Sequence, residues 1–137
     1  MPTRPMNELD AQVGDSHETV ENLRVEAGKV EEFARAVGDD NPAHRDTEAA
    51  KSQGFEAIPA PLTFLRTSYF PRHRAPGVDE SFGFDLGFRA EHVVHGEHAF
   101  EFERPVYVGD VLSGTTTLTD VYQREGGLGG TMTFAVY

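Results

Sequence analysis

Residues 38–46 read GDDNPAHRD, and this stretch decides how the first half of the chain folds. Its leading glycine stands where a helix often ends in a left-handed residue. Pro42 fixes its own φ and disfavours helix at Asn41, so the segment must turn. Such a turn can bring Asp39 and His44 together. A carboxylate and an imidazole held near one water are what an addition or elimination of water needs.

The sequence on both sides of this turn has helical features. Apolar residues at i, i+3, i+4 and i+7 predict an amphipathic helix that ends at Gly38, and these are Val30, Phe33, Ala34 and Val37. Asp46 can cap a second helix over residues 47–53, and Gly54 can end it.

A third helix is predicted over residues 61–70, between Pro61 and Pro71. It is apolar on most sides through Leu62, Phe64, Leu65, Tyr69 and Phe70. A helix that is apolar nearly all round should be buried, most simply by a sheet wrapped about it.

The remainder of the chain predicts an antiparallel sheet. Alternating apolar residues indicate strands over residues 82–88, 100–103 and 132–136, and alternating threonines ending in Val121 indicate one over residues 115–121. The glycine-rich residues 125–130 indicate a hairpin loop. Helices followed by strands are typical of the α+β class. Residues 1–20 show no sustained periodicity and are expected to form a flexible arm, which leaves residues 21–137 as one domain.

Composition excludes several classes of protein. The net charge is −11, so a nucleic-acid-binding surface is not expected. Only two of the 12 cationic residues are lysines, and an acidic, lysine-poor surface suits a protein of concentrated salt. The absence of cysteine excludes disulfides and a thiol nucleophile. Without an apolar run long enough to span a membrane or a signal-peptide pattern, we expect a cytoplasmic protein.

Three segments together resemble a known family. GDDNPAHRD, with Ala49-Ala50 shortly after it, resembles the signature of the MaoC-like (R)-specific enoyl-CoA hydratases. Residues 58–64, IPAPLTF, resemble the start of the central helix in the FAS1-like (MaoC N-terminal) dehydratases, and residues 100–110, FEFERPVYVGD, resemble the strand and turn that follow. The resemblance covers residues 22–137 and implies a hot-dog fold, in which an antiparallel sheet wraps a long central helix.

The resemblance also implies a reaction, the reversible hydration of trans-2-enoyl-CoA to (R)-3-hydroxyacyl-CoA in fatty acid metabolism. Asp39 and His44 would hold the water, and Asn41 would orient the pair. A backbone N–H at the start of the central helix would meet the thioester oxygen. The substrate would be a coenzyme A thioester, with no metal and no other cofactor. The chain would form a homodimer, or a heterodimer with a related hot-dog subunit.

Two departures from the family pattern leave alternatives open. The best-known hydratases open the central helix with His-Gly, whereas this chain has Ala60-Pro61. Proline has no N–H, so Leu62 or a partner subunit would have to supply the donor. The Ala-Pro version also occurs in subunits that bind the acyl chain for a catalytic partner, although many of those carry Tyr in place of His44. The family sheet also normally has one more strand after the segment that ends at Tyr137.

The remaining candidates each have a plain structural interpretation. Arg66, Arg72 and Arg74 can meet the phosphates of coenzyme A or compensate a helix C-terminus. Phe64 can line an acyl tunnel or pack in the core. His92, His95 and His98 are better read as a solvated strand than as a metal site, because the middle residue would face the opposite way. An acyl-CoA thioesterase is the third functional hypothesis, and the Asn-Pro-x-His spacing argues against it.

Overall fold

The computed structural model describes residues 4–79 and 81–137 of the chain. Its helices are α1 (Met6–Asp10), α2 (Ala27–Ala36) and α3 (Thr47–Ser52), and its strands are β1 (Ser16–Arg24), β2 (Val111–Thr117), β3 (Asp120–Glu125) and β4 (Thr131–Val136). Short 3₁₀ turns occupy Pro42–His44, Phe64–Tyr69, Pro71–His73 and Ala90–His92. Strand β1 pairs with β2, and β3 pairs with β4.

The chain divides into two compact units. We call one the hairpin unit, made of residues up to 19, residues 74–97 and residues 114–137. The other, which we call the cavity unit, is made of residues 20–73 and 98–113. The assignment of residues 21–137 to one domain stays a prediction.

The hairpin unit is built on the antiparallel pair of β3 and β4. The register runs from Asp120 opposite Val136 to Glu125 opposite Thr131, and the N–H of Gly126 closes the loop on the carbonyl of Gly130. This hairpin agrees with the glycine-rich loop predicted from the sequence. The buried core of the unit consists of Leu9, Phe84, Leu86, Leu118 and Val121.

The cavity unit carries α2, α3 and the motif segment between them. Its core brings together Val25, Val30, Ala60 and Phe64. The segment 58–60 runs antiparallel to residues 106–108: the N–H of Ala60 donates to the carbonyl of Val106 (2.7 Å), and the N–H of Val108 donates to that of Ile58 (2.9 Å). This pairing fixes the backbone of Pro59, which borders the site described below.

The two helices that flank the motif agree with the sequence prediction. Helix α2 ends at Ala36, and Gly38 follows with a φ of 75°. A left-handed residue at this place costs glycine little. The Oδ2 atom of Asp46 accepts the N–H of Ala49 at 3.0 Å and caps α3.

The prediction of a long α-helix over residues 61–70 is wrong for this segment. Only Phe64–Tyr69 is helical, and it is a 3₁₀ turn of six residues. Proline bounds the segment at both ends, and Phe70 is extended (φ −66°, ψ 139°) because it precedes Pro71. Threonine, serine and the aromatic residues within it are poor helix formers.

Two predicted strands are also absent from the described part of the chain. Residues 82–88 form a turn and irregular backbone, since Phe82, Gly83 and Gly87 all have positive φ (56°, 82° and 65°). Residues 100–103 do not pair with a neighbouring strand. Instead, the Phe100 and Phe102 rings stack on each other, with centroids 5.9 Å apart.

Two further boundaries differ from the prediction. The strand expected over residues 115–121 is interrupted at Leu118 and Thr119, where β2 ends and β3 begins. Within residues 4–20, where we expected a flexible arm, the chain forms α1 and the start of β1. Leu9 is fully buried there, so apolar packing organises a segment that is too short to show a period.

The buried side chain of His73, in the cavity unit, gives the free energy of unfolding a dependence on pH. His73 is 3% exposed, and its Nε2 hydrogen-bonds the Lys29 ammonium. Burial lowers the pKa of His73, nearby Lys29 and Arg72 lower it further, and Glu26 opposes them. In the unfolded chain this ring takes up a proton below a pH of about 6.5. In the folded chain burial opposes protonation, so the ring stays neutral to a lower pH.

We therefore expect the free energy of unfolding to fall as the pH drops from about 7.5 to 5.5, because the unfolded state takes up the proton. His73→Gln should flatten this dependence, and His92→Gln, at an exposed site, should leave it unchanged. Urea unfolding at both pH values measures the difference. Equal pH slopes for wild type and His73→Gln would contradict the assignment.

Candidate active site

Asp39 and His44 form a direct hydrogen-bonded pair. His44 Nε2 lies 2.9 Å from Asp39 Oδ2. The pair comes together because α2 ends at Ala36, just before Gly38, and the next turn, Pro42–His44, folds the chain back. The N–H of Asp39 donates to the carbonyl of Ala34 at 2.8 Å, which ties the carboxylate to the helix end. The proximity predicted from the motif is thus present.

The surroundings of Asp39 favour its ionised form. Its Oδ1 accepts the backbone N–H of Asn41 at 3.1 Å. This hydrogen bond holds the pKa of Asp39 below its usual range, and the bond with His44 acts the same way against partial desolvation. The Asp39 side chain keeps 40% of its surface exposed, so the carboxylate can meet a ligand while it stays bonded to Asn41 and His44.

His44 is buried and held at both ring nitrogens. Its Nδ1–H donates to the carbonyl of Pro59 at 2.7 Å, and its Nε2 faces the Asp39 carboxylate. Since both neighbours are acceptors, a ring that carries a proton on each nitrogen satisfies both contacts. The arrangement therefore joins a fixed imidazole to a carboxylate that can exchange a proton with it.

The pair opens into a cavity of about 410 Å³. Apart from the pair itself, apolar side chains and prolines form most of the wall. Its described lining residues are Asp39, Asn41, His44, Phe55, Pro59, Ala60, Pro61, Leu62, Phe64, Leu65, Phe102, Glu103, Arg104, Pro105 and Val106. A mostly apolar pocket with a few convergent polar groups is typical of a small-molecule site.

The predicted site residues fall into two sets. Asp39, Asn41 and His44 line the cavity, and so do Leu62 and Phe64. Leu62 is 70% exposed, whereas Phe64 is fully buried and also belongs to the core.

The predicted basic cluster lies elsewhere. Within the described part of the cavity unit, Arg66 and Arg72 are not lining residues. Arg66 lies 3.7 Å from the centroid of the Tyr69 ring, and Arg72 contacts Glu26 at 3.4 Å. Arg74 belongs to the hairpin unit. A role of these arginines toward coenzyme A stays a prediction.

Sequence reasoning missed two kinds of site residue. Phe102 and Arg104 line the cavity, although their segment was read only as support for the fold. Arg104 hydrogen-bonds Asp110 at 3.0 Å, and this contact lowers the pKa of that carboxyl. Gln53 contacts Asn41 from the end of α3, and no pattern in the sequence signalled it.

Residues 4–79 and 81–137 contain neither a cluster of metal-ligating side chains nor a helix of membrane-spanning length. No group of three or more His, Asp or Glu side chains in these ranges is arranged to hold a metal ion. The described helices are also too short to cross a bilayer, since even α2 has ten residues.

Comparison with known proteins identifies relatives of this chain. The family profile described as "FAS1-like, dehydratase domain region" matches residues 11–137. A UPF0336 protein of Streptomyces avermitilis is 37% identical over 114 residues, which are 83% of this chain and 73% of that protein. A UPF0336 protein of Clavibacter michiganensis is 43% identical over 96 residues, which are 68% of this chain and 60% of that protein.

Solved structures of dehydratases are also similar to this chain. The C-terminally truncated HadBC (3R-hydroxyacyl-ACP dehydratase) complex of Mycobacterium tuberculosis has a TM-score of 0.63 and 26% identity, covering 89% of this chain and 91% of the other. A MaoC-like dehydratase has a TM-score of 0.58 and 31% identity, covering 83% of this chain and 33% of the other. The fold class is thus the α+β hot-dog class expected from the motif, and the chain belongs to the FAS1-like dehydratase domain family.

Proposed function

We propose that this protein is a hydro-lyase that interconverts trans-2-enoyl and (R)-3-hydroxyacyl thioesters, with Asp39 and His44 as its catalytic pair. The observation that carries the proposal is the pair itself: a partly exposed carboxylate bonded to a buried imidazole at the wall of an apolar cavity. Membership of a dehydratase family supports the reaction class. The paired geometry supports these two residues as its acid and base.

In the hydration direction, a water molecule would bind against Asp39 Oδ2 and His44 Nε2. We assign Asp39 the role of base, because its pKa lies below its usual range and the carboxylate is therefore ionised near neutral pH, ready to accept a proton. As it accepts a proton, the water oxygen bonds to C3 and the electrons of the C2–C3 double bond move toward the thioester oxygen. His44 then delivers a proton to C2, and the proton that Asp39 accepted passes to His44 through their hydrogen bond, which restores the starting state of the pair. Dehydration follows the same steps in reverse, so no external cofactor is required.

The thioester oxygen gains negative charge during this step and requires a donor. Pro61 has no N–H to offer. The first bond of the turn that follows runs from the N–H of Phe64 to the carbonyl of Pro61, so the N–H of Leu62 precedes the hydrogen-bonded turn. Leu62 also lines the cavity. We assign it the role of oxyanion donor, unless a partner subunit supplies one.

The substrate is expected to be an acyl chain on coenzyme A or on an acyl carrier protein, since either carrier presents the same thioester. The apolar cavity wall suits the acyl part. Phe64 and Phe102 from two separate segments line it. The protein is proposed to act as a homodimer or with a related hot-dog subunit, in line with the HadBC complex to which it is similar.

A coupled assay tests the proposed reaction. The purified protein is incubated with a short trans-2-enoyl-CoA at low and at molar salt, while enoyl absorbance and free thiol are followed together. We expect absorbance to fall without thiol release. The acidic composition, with a net charge of −11, predicts that activity survives molar salt. Thiol release in step with turnover would identify a thioesterase and contradict the proposal.

A second function deserves a test because of one feature, the proline at the position of the expected oxyanion donor. In that case the chain would bind the acyl group for a catalytic hot-dog partner. Absence of turnover by the chain alone, with turnover restored by a second subunit even when Asp39 and His44 are replaced, would favour this function. Turnover by the chain alone would exclude it.

A further inference from the structure

Gln53 and Asn41 join their side-chain amides by two reciprocal hydrogen bonds. Asn41 Nδ2 donates to Gln53 Oε1 at 3.0 Å, and Gln53 Nε2 donates to Asn41 Oδ1 at 2.8 Å. Each amide uses its donor and its acceptor toward the other, so the orientation of both groups is fixed. We call this pair the amide clamp.

The amide clamp is anchored on the side of Gln53 by α3. The N–H of Gln53 donates to the carbonyls of Ala49 (3.2 Å) and Ala50 (3.1 Å) at the end of that helix. The start of α3 is capped by Asp46, and Ala50 is fully buried. The backbone of Gln53 therefore has a defined position, from which its side chain reaches back to the motif.

On the side of Asn41, the clamp continues to the proposed catalytic pair. Asn41 Oδ1 also accepts the N–H of Ala43 at 3.1 Å. The backbone N–H of Asn41 donates to Asp39 Oδ1 at 3.1 Å. The same backbone turn carries His44, whose Nε2 contacts Asp39 Oδ2. The Asn41 side chain therefore braces the turn whose backbone N–H bonds Asp39, and a shift of that turn would disturb the hydrogen bond that aims the Asp39 carboxylate at the imidazole.

We propose that Gln53 is a positioning residue, which holds Asp39 against His44 by clamping Asn41. This inference rests on the proposed function of the Asp39–His44 pair. Gln53 is not among the described residues that line the cavity, so it acts through Asn41 and not on the substrate. Its distance of twelve residues from Asn41 makes the clamp a product of the fold between the motif and α3.

A positioning role and a merely structural role predict different results. Loss of a surface amide pair lowers stability in either case, typically by a modest amount. Only a positioning role also changes the ionisation of Asp39, whose largest stabilising contact is the N–H of Asn41. Without the clamp, the pKa of Asp39 should rise toward that of an ordinary aspartate.

Gln53→Met tests this role, since methionine has a similar length and makes no amide hydrogen bonds. We expect kcat for enoyl-CoA hydration to fall about tenfold with little change in KM, as for a slightly misplaced catalytic group. The acidic limb of the pH–rate profile should move upward, toward the pH at which an ordinary aspartate titrates. Lys51→Met, an exposed site in the last turn of α3, should leave kcat and the limb unchanged.

A double-variant comparison tests the route through Asn41. If Gln53 acts only through that residue, Asn41→Ala and the Asn41→Ala/Gln53→Met double variant should have equal kcat, because the second change has nothing left to disturb. An unchanged kcat and pH limb in Gln53→Met would overturn the proposal, and so would independent, multiplicative losses in the double variant.

The carboxyl carbon of Asp39, observed by NMR during a pH titration, gives an outcome that does not depend on activity. The titration midpoint should be higher in Gln53→Met than in wild type, because the Asn41 N–H that bonds the carboxylate is held less firmly without the clamp. If the wild type fails to hydrate enoyl-CoA, the proposed function is wrong, and this titration still decides the clamp. An equal midpoint in the two proteins overturns it.

Discussion

Asp39→Asn and His44→Gln are each expected to lower kcat/KM for enoyl-thioester hydration by about 10³-fold. Asparagine keeps the shape of the Asp39 side chain, and its Oδ1 can still accept the N–H of Asn41. It cannot accept a proton from water. Glutamine at residue 44 can still fill part of the buried site but cannot transfer a proton. Steady-state kinetics on the purified variants measures both losses.

The neighbouring Asp40 provides a matched control. It lies next to Asp39 in sequence and is exposed, so Asp40→Asn removes the same charge without touching the pair. Its kcat/KM should stay within about twofold of wild type, as expected for a surface change away from the chemistry. Circular dichroism and urea unfolding would establish that all three variants fold. Equal activity of Asp39→Asn and Asp40→Asn would remove Asp39 from the mechanism.

Phe64→Ala should lower the free energy of unfolding by about 3–5 kcal/mol. Phe64 is fully buried, packs with Val25, Val30 and Ala60, and meets the Phe33 ring edge to face at a centroid distance of 5.6 Å. Removing the ring forfeits its burial and leaves a void. A typical domain is stable by only about 5–15 kcal/mol, so a loss of this size should be plain in urea unfolding.

Leu62→Ala is the control for this loss. Leu62 lies two residues earlier in the same segment but is 70% exposed, so its truncation should change stability by no more than about 0.5 kcal/mol. If Phe64→Ala were as mild as Leu62→Ala, Phe64 would not belong to the core. Both residues line the cavity, and the acyl-chain preference of each variant would report on that contact separately.

The local features of the candidate site could be predicted from the sequence because short-range rules determine them. Gly38 ends α2, Asp46 caps α3, and Pro42 forces the turn between them. These rules involve residues only a few positions apart. They were enough to predict that Asp39 and His44 lie close together, and the family resemblance then suggested that the pair handles water in a hydration reaction.

The features that escaped prediction depend on partners distant in sequence or on backbone conformation. An apolar run between prolines reads as a helix, yet Phe64–Tyr69 is a 3₁₀ turn. Alternating phenylalanines read as a strand, yet Phe82 lies in a left-handed conformation between turn residues. The hydrogen bond from His44 to the Pro59 carbonyl joins residues 15 positions apart, and no local sequence pattern predicts it.

The position of the oxygen taken from water is the most direct test of the central claim. The protein is incubated with a trans-2-enoyl-CoA in H₂¹⁸O, and the products are analysed by mass spectrometry. We predict one ¹⁸O atom in the C3 hydroxyl of an intact thioester, and its loss when Asp39 is replaced by Asn. Label in a free carboxylate, or C3 label formed equally well by Asp39→Asn, would contradict the assignment of the Asp39–His44 pair as the centre of a hydro-lyase.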